Sequence, residues 1–264
     1  MTILIDAGNT RVKLGWAHAD GSRETQVAAI AHDAIEKDLP AWLAAQPGCH
    51  DTAIGVNVAG SELGRRIERV LKDAGFAVTW MNSVAESLGL SNGYARPSQL
   101  GTDRWVAMVG LWAHPRHRSA AARRPAQILA SFGTATTIDT ISPQGRFEGG
   151  VILPGLRLML TSLAAGTANL PLAGGAAVPF PSDTQQAIAS GALAAQAGAV
   201  LRQMLIARER FADTALRLAV TGGAWPEVEP ELRRLLVQAG LETQPWIMDN
   251  PVLDGLAMLA AHQA

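Results

Sequence analysis

The sequence has few of the residues that mark a secreted, membrane-spanning or nucleic-acid-binding chain. Cys49 is the only cysteine among 264 residues, which excludes a disulfide within the chain and fits a reducing compartment. An excess of one charge is also absent, because 22 basic and 23 acidic side chains leave a formal net charge of -1. No overall field therefore favours binding to a polyanion or to an anionic membrane surface.

Long apolar runs are missing as well. The longest one, from Val151 to Ala165, contains Pro154 and Arg157 and is too short to span a bilayer. The apolar start of the chain is interrupted at Asp6 with no basic segment before it, so we expect no signal peptide and a cytoplasmic protein. With 48% hydrophobic residues, the chain can form one large core or two modest ones.

What the sequence does contain is a pair of glycine-threonine turns set between apolar strands. The first lies in Ile5–Lys13 and the second in Ser131–Asp139, half the chain apart. A turn centred on glycine exposes backbone N–H groups, and the neighbouring threonine hydroxyls add donors, which together form a cradle for phosphate oxygens. One cradle in each half predicts two lobes facing one nucleotide. For the first turn alone, a plain hairpin is the alternative, because Gly-Asn is a favoured turn pair without any ligand.

Hydrophobic periodicity predicts a hairpin-rich sheet at the start of each half, followed by alternating helices and strands. We therefore expect an α/β fold of two lobes with mixed sheets flanked by helices, residues 1–115 and 116–264, and a cleft between them. The predicted strands are Thr2–Asp6, Val12–Ala17, Thr25–Ile30, Ala53–Val58, Ala77–Met81, Ile128–Ser131, Thr136–Ile141, Arg146–Val151, Ala215–Thr221 and Thr243–Ile247. The predicted helices are Asp33–Ala45 with a break or a new start at Pro40, Ser61–Ala74 with Ser61 as N-cap, Gln99–Ala113, Thr184–Arg210, Pro230–Ala239 and Val252–His262.

A basic, proline-flanked segment connects the predicted halves. Arg116–Arg124 could bind an anionic partner, but runs of this kind are usually solvated loops. It has no interleaved aromatic residues for base stacking, so we expect no nucleic-acid partner.

Five motifs in a fixed order resemble those of the type III pantothenate kinases, a family of the acetate and sugar kinase, heat-shock-70 and actin superfamily. They are Asp6–Lys13, Leu100–Arg104, Phe132–Asp139, Gly149–Gly155 and Thr184–Gly191. The resemblance implies two lobes of actin-like, ribonuclease-H-like topology with an ATP cleft between them. It also implies transfer of the γ-phosphoryl group of ATP to pantothenate, giving 4'-phosphopantothenate in the first step of coenzyme A synthesis. ATP with Mg²⁺, and a homodimer with the acceptor site near its interface, follow from the same resemblance.

Phosphate binding is the role that the resemblance gives to both turns. Lys13 would place a positive charge on the phosphates, and Asp6 would reach Mg²⁺ through water, since that ion keeps most of its hydration shell. The glycine pair after a later strand would let the backbone approach the adenosine, or is an ordinary strand-to-helix turn. The expected ATP-binding and phosphate-binding residues are Asp6, Ala7, Gly8, Asn9, Thr10, Arg11, Val12, Lys13, Gly133, Thr134, Gly222 and Gly223.

Asp103 is the residue to which the resemblance assigns the chemistry, as acceptor of the hydroxyl proton. A carboxylate within hydrogen-bond reach suits that role, although an aspartate in a first helical turn is also favoured by the helix dipole alone. Arg104 would bind the acceptor substrate or its carboxylate. The expected substrate-binding residues are Tyr94, Gly101, Thr102, Asp103, Arg104 and Thr184. Thr184 would act from the partner subunit, or would simply cap a helix.

Ser131 departs from the family pattern. Many members carry an aspartate there, whose carboxylate helps to bind a monovalent cation such as K⁺ or NH₄⁺. A neutral hydroxyl is a much weaker ligand for a hard cation, so the usual monovalent-cation site is in doubt and no residue is assigned to it.

Two other functions stay open at this point. A kinase for a sugar or another small alcohol would share the fold, since sites rather than scaffolds set the substrate. A regulatory relative that binds a partner or affects transcription is the second alternative. The intact Asp103 and phosphate turns argue against a purely binding role.

Overall fold

A computed structural model describes residues 1–46, 52–114, 124–166, 177–241 and 243–263. These residues form strands and helices in alternation. The strands are β1 (Thr2–Ala7), β2 (Arg11–Ala17), β3 (Ala28–Ala31), β4 (Thr52–Asn57), β5 (Ala77–Trp80), β6 (Glu86–Ser87), β7 (Leu90–Asn92), β8 (Ala126–Phe132), β9 (Ala135–Ile141), β10 (Arg146–Pro154), β11 (Leu216–Thr221) and β12 (Trp246–Ile247). The helices are α1 (Ile35–Ala44), α2 (Ser61–Asp73), α3 (Thr102–Ala113), α4 (Leu156–Gly166), α5 (Thr184–Arg210), α6 (Trp225–Gln238) and α7 (Pro251–Gln263).

The chain divides into two compact units. The first comprises Met1–Ala120 with Asn250–Ala264, and the second comprises Ala121–Asp249. In the first unit, five strands are arranged in the order β3-β2-β1-β4-β5. The hairpin β1–β2 and the pair β2–β3 are antiparallel, whereas β4 and β5 run parallel to β1.

The second unit repeats this topology. Its strands β10, β9, β8, β11 and β12 are neighbours in that order. The pairs β8–β9 and β9–β10 are antiparallel, and β11 and β12 run parallel to β8. Each unit therefore has five strands in the same mixed order. In both units the central strand of these five, β1 or β8, leads into a glycine-threonine turn.

A separate hydrophobic core supports each sheet. In the first unit, alternate residues of β1 such as Ile3 and Ile5 pack against α1 and α2, represented by Leu39 and Ile67. In the second unit, β8, β9 and β11 pack against α5 and α6. Because side chains alternate along a strand, Leu4 and Asp6 lie on the other face of β1, away from α1 and α2.

The C-terminal helix differs from its predicted position. The sequence placed residues 250–264 with the second half, but α7 belongs to the first unit and packs on β1, β2 and α3. Two glycines allow this packing: a Cβ on Gly255 would collide with the backbone carbonyl of Val106, and one on Gly110 would lie 2.5 Å from the Pro251 carbonyl oxygen. The rest of the predicted division stays a prediction, and its boundary at residue 115 lies outside the described residues.

Three local predictions need correction, and two local elements were missed. Pro40 does not break a helix, because α1 continues through it. Ser61 is not the N-cap of α2, a position that Gly60 takes without a side-chain cap. The apolar run after β10 forms the helix α4, which periodicity did not reveal, and α6 starts at Trp225 rather than at Pro230. The hairpin β6–β7 was also missed, because its strands have two and three residues.

Among the described residues, none of the helices has the length and apolar character needed to cross a membrane. The greater part of the basic segment 116–124 and Cys49 lie outside the described residues, so the expectations for them stay predictions.

Candidate active site

The first glycine-threonine turn joins β1 to β2. Asp6 and Lys13 face each other across the two strands, and Ala7 and Val12 form the last pair before the turn. The Gly8 N–H donates to the Arg11 carbonyl oxygen over 3.2 Å, which closes the turn. Directly opposed residues have their Cβ atoms about 5 Å apart on one face of the sheet, so the Lys13 ammonium and the Asp6 carboxylate share one side.

Burial strongly alters the acidity of the Asp6 carboxyl group. It is half-buried, and desolvation raises its pKa from the ordinary 3.8 to about 6. The positive charge of Lys13 lowers the pKa of Asp6, and the negative charge of Asp103 raises it. Asp6 is therefore ionised at neutral pH only by a narrow margin, and it lies close enough to Asp103 for the two charges to interact.

Asp103 lies in the first turn of α3, where the helix dipole favours a negative charge. Its Oδ1 accepts the N–H of Arg104 over 2.8 Å. A Cβ on Gly101, the N-cap, would lie 2.8 Å from that same oxygen, so a larger residue at 101 would displace the carboxylate. A 3₁₀ helix, Pro97–Gln99, precedes α3, and the Leu100 carbonyl oxygen that follows it accepts the Ser83 hydroxyl over 2.8 Å.

The other predicted substrate residues of the first unit lie in α3 or precede it in the chain. Thr102 is the first residue of α3 and is half-buried, and Arg104 is 9% exposed. Tyr94 follows β7 in a half-buried position, where its N–H donates to the Asn92 side chain over 3.1 Å. A buried arginine therefore follows a half-buried aspartate at the start of α3.

In the second unit, the backbones at Gly155 and Gly222 lie against the second glycine-threonine turn. The Gly133 N–H donates to the Ala135 carbonyl oxygen, and the Gly155 N–H donates to the Thr134 carbonyl oxygen, over 3.1 and 3.0 Å. A Cβ on Gly155 would collide with the Gly133 carbonyl, and one on Gly222 would collide with the Phe132 carbonyl. Glycine at these two positions is what allows the three backbones to approach.

Gln196 is a residue that the sequence analysis missed. It is fully buried on α5, accepts the Thr136 hydroxyl over 2.5 Å and donates to the Pro154 carbonyl oxygen over 2.9 Å. It thereby joins the strand after the second turn to the residue before Gly155. A glutamine in the inward, alanine-rich stripe of a helix was the signal available in the sequence.

The remaining predicted residues of the second unit are more exposed. Thr184 is exposed at the start of α5, and the helix is capped by Asp183, which accepts the Gln186 N–H. Thr184 is therefore not the cap, which removes the structural alternative for this residue. Gly223 is exposed beside Gly222, and Ser131 is half-buried at the end of β8 opposite Thr221.

Each unit thus gathers its own part of the predicted site. The first unit brings together the turn 8–10, the pair Asp6–Lys13 and Asp103. The second brings together the turns at 133–134, 155 and 222. A carboxylate whose pKa lies near 6, beside a lysine and a turn lined with N–H groups, fits a hydrated Mg²⁺ with its phosphates.

The fold and these two turns define an actin-like α/β protein. Two solved structures share the fold over 99% of this chain. One is a Campylobacter jejuni protein described as a Baf family transcriptional activator, with a TM-score of 0.59, 18% identity and 98% of that chain covered. The other is a Porphyromonas gingivalis protein assigned as an N-acetylglucosamine kinase, with a TM-score of 0.51, 12% identity and 99% of that chain covered.

Sequence similarity identifies the family. The family model for type III pantothenate kinases matches residues 2–206. A type III pantothenate kinase of Bordetella petrii is 51% identical over 266 residues, which cover 99% of this chain and 97% of the relative. The chain belongs to the type III pantothenate kinase family.

Proposed function

We propose that this protein phosphorylates pantothenate with ATP and Mg²⁺, as the first step of coenzyme A synthesis. The observation that carries the proposal is that Asp6, beside the first phosphate turn, lies within electrostatic range of Asp103 in the same unit. It puts a candidate metal-binding carboxylate and a candidate base at one place in the first unit. Membership of the family supports pantothenate as the acceptor.

Asp103 acts as the general base in this proposal. As the acceptor hydroxyl attacks phosphorus, its proton passes to a carboxylate oxygen of Asp103, and the bond from the γ-phosphorus to the bridging oxygen of ADP breaks. The hydrogen bond from the Arg104 N–H and the first turn of α3 hold that carboxylate in place. Arg104, Gly101, Thr102 and Tyr94 bind and orient the acceptor.

The two glycine turns hold the phosphates. The Gly8 N–H closes the first turn. The backbone N–H groups of Asn9 and Thr10 and the Thr10 hydroxyl bind terminal phosphate oxygens, and Lys13 adds a positive charge. Asp6 would hold Mg²⁺ through water, and the chemistry that the ion would supply there is positive charge for the phosphate oxygens. From the second unit, Gly133 and Thr134 bind phosphate, and Gly222 and Gly223 let the backbone approach the adenosine.

A monovalent cation contributes little in this proposal, because Ser131 replaces the aspartate of many family members. Its hydroxyl lies on a half-buried strand end and supplies no negative charge. Activation by K⁺ over Na⁺ is therefore expected to be weak. Strong K⁺ activation of the unaltered protein would contradict this part of the proposal.

The working form is proposed to be a cytoplasmic homodimer with the acceptor site near its interface. Large apolar side chains in the second unit support an interface, since Leu158 and Leu163 on α4 are 47% and 41% exposed and Phe180 is 92% exposed. Thr184 lies four residues after Phe180 and would reach the acceptor of the partner subunit.

A coupled ADP-release assay tests the function. Purified protein with ATP and Mg²⁺ should release ADP when pantothenate is added, and not with a hexose, an N-acetylhexosamine or no acceptor. Asp103→Asn should lower kcat on the order of 10²- to 10⁴-fold while binding of an ATP analogue persists. Asp73→Asn, at the exposed end of α2, is the matched control and should leave kcat unchanged. ADP release without pantothenate, or preference for a hexose, would overturn the proposal.

A further inference from the structure

A histidine outside all five sequence motifs contacts the first phosphate turn. His32 follows β3, which runs antiparallel to β2 so that Ala31 pairs with Arg11, the residue that closes the turn. The His32 Nε2 lies 2.9 Å from the Gly8 carbonyl oxygen. Because a carbonyl oxygen can only accept, Nε2 carries the proton and donates.

This hydrogen bond fixes one peptide plane of the turn. In a trans peptide, the carbonyl of one residue and the N–H of the next point in opposite directions. With the Gly8 carbonyl held toward His32, the Asn9 N–H is directed to the opposite side of the same plane. That N–H is one of the donors that the turn offers to a phosphate oxygen.

The backbone of His32 is held in turn by Arg66. Its carbonyl oxygen accepts from the Arg66 guanidinium over 2.8 Å, and the same guanidinium makes two hydrogen bonds of 2.5 Å to the Glu36 carboxylate. Glu36 lies on α1 and Arg66 on α2. The chain of contacts from Glu36 through Arg66 and His32 to Gly8 ties the turn to both helices that cover the sheet.

We infer that His32 is a positioning residue for nucleotide binding, which holds the Gly8–Asn9 peptide so that its N–H group faces the phosphates. The inference rests on the proposed use of this turn for ATP, and not on the identity of the acceptor. Glycine at position 8 makes the turn mobile when it is unsupported, and misplacement of a phosphate donor weakens binding and transfer together.

The test compares two replacements of His32 with the unaltered protein. Gln Nε2 occupies nearly the same position as His Nε2 and can donate to the Gly8 carbonyl, whereas Ala cannot. Calorimetric titration with a non-hydrolysable ATP analogue, without acceptor, should give a Kd about tenfold higher for His32→Ala and close to that of the unaltered protein for His32→Gln. KM for ATP should follow the same order, while KM for pantothenate and the thermal midpoint change little.

His18→Ala is the matched control, because that histidine lies in the same unit but follows the end of β2 that is remote from the turn. Its Nε2 lies 3.0 Å from the exposed Glu24 carboxylate. The variant should leave the Kd unchanged. Equal weakening by His32→Ala and His32→Gln, or a Kd for His32→Ala within about twofold of the unaltered protein, would overturn the inference. Failure of the pantothenate assay with intact nucleotide binding would overturn the proposed function alone.

Discussion

At the scale of single residues, Asp6 combines a functional requirement with a cost in stability. Burial raises its pKa to about 6, so the folded state favours the protonated carboxyl more than the unfolded chain does. The stability from this preference is fully present below pH 3.8 and is lost as the pH rises through about 6. At neutral pH the ionised carboxylate destabilises the nucleotide-free protein, on the order of 2 to 3 kcal/mol.

Asp6→Asn should remove that penalty. Without nucleotide and Mg²⁺, the thermal midpoint of the variant should exceed that of the unaltered protein at about pH 7.5, and the difference should vanish as the pH falls from about 6 toward about 4. The same variant should lose phosphoryl transfer, because an amide is a poor ligand for Mg²⁺. Scanning calorimetry across this pH range gives the measurement.

Asp20→Asn provides the control of opposite sign. Hydrogen bonds from the Ser22 hydroxyl and N–H lower the pKa of Asp20, so its ionised form stabilises the fold above the ordinary carboxyl pKa and its loss should lower the midpoint at neutral pH. Parallel pH profiles for Asp6→Asn and the unaltered protein would show that burial of Asp6 carries no such penalty.

At the scale of elements, the packing of α7 on α3 depends on backbone contact at glycine. Gly255→Ala would force a methyl group into the Val106 carbonyl. Because the obstructing atom belongs to the backbone, α7 would have to move away from α3 to make room. Overpacking of this kind destabilises by about 1 to 3 kcal/mol or more. The thermal midpoint of the variant should fall by several degrees, as measured by circular dichroism.

Gly198→Ala separates this packing effect from helix propensity. Gly198 lies within α5, and in the described part of the chain a Cβ there would meet no atom within 4 Å. Alanine should therefore keep the midpoint or raise it, since it favours a helix by about 1 kcal/mol over glycine. If the thermal midpoint fell by the same amount in Gly198→Ala and Gly255→Ala, the loss of stability would not come from the α3–α7 contact.

Elements with a strong local pattern are the ones that the sequence predicted well. The helix α5 was predicted with both of its ends, Thr184 and Arg210. The predicted hairpin β1–β2 was confirmed, because its turn residues and its two apolar strands both favour a hairpin. The helix α4 was missed, since its leucines follow each other too closely to show a period. Pro40 was misinterpreted because an imino acid in a helix can be tolerated when Leu39 and Leu43 are buried on either side of it.

In the candidate site, too, the features with a local sequence pattern could be predicted and the others could not. The turns Gly8–Thr10 and Gly133–Thr134 could be predicted, because each shows glycine and threonine between two apolar strands in the sequence. Gln196 and His32 act on those turns from residues distant in the chain, and only the folded strand order brings them there. Which residues support a turn is decided by tertiary contacts that no local pattern records.

At the scale of the whole molecule, the same strand order in both units gives the protein two structurally equivalent turns with different supports. β1–β2 carries the first turn and β8–β9 the second. The acidic residues Asp6 and Asp103 belong to the first unit alone, whereas the exposed apolar side chains of α4 and the neighbouring Phe180 belong to the second. Under the proposed function, the first unit would supply the general base and the second unit the dimer interface, which makes the proposed dimer testable through catalysis.

If Thr184 completes the acceptor site of the partner subunit, two inactive variants should complement each other. Asp103→Asn leaves Thr184 intact, and Thr184→Arg places a bulky cation at the acceptor while leaving Asp103 intact. Co-expressed in equal amounts with different tags, half of the dimers are mixed, and each mixed dimer holds one complete site out of two. The pool should therefore regain about a quarter of the unaltered activity, with light scattering confirming dimers. If each site is built within one chain, the pool stays as inactive as either variant alone, and the proposed interface role of Thr184 fails while Asp103 keeps its own.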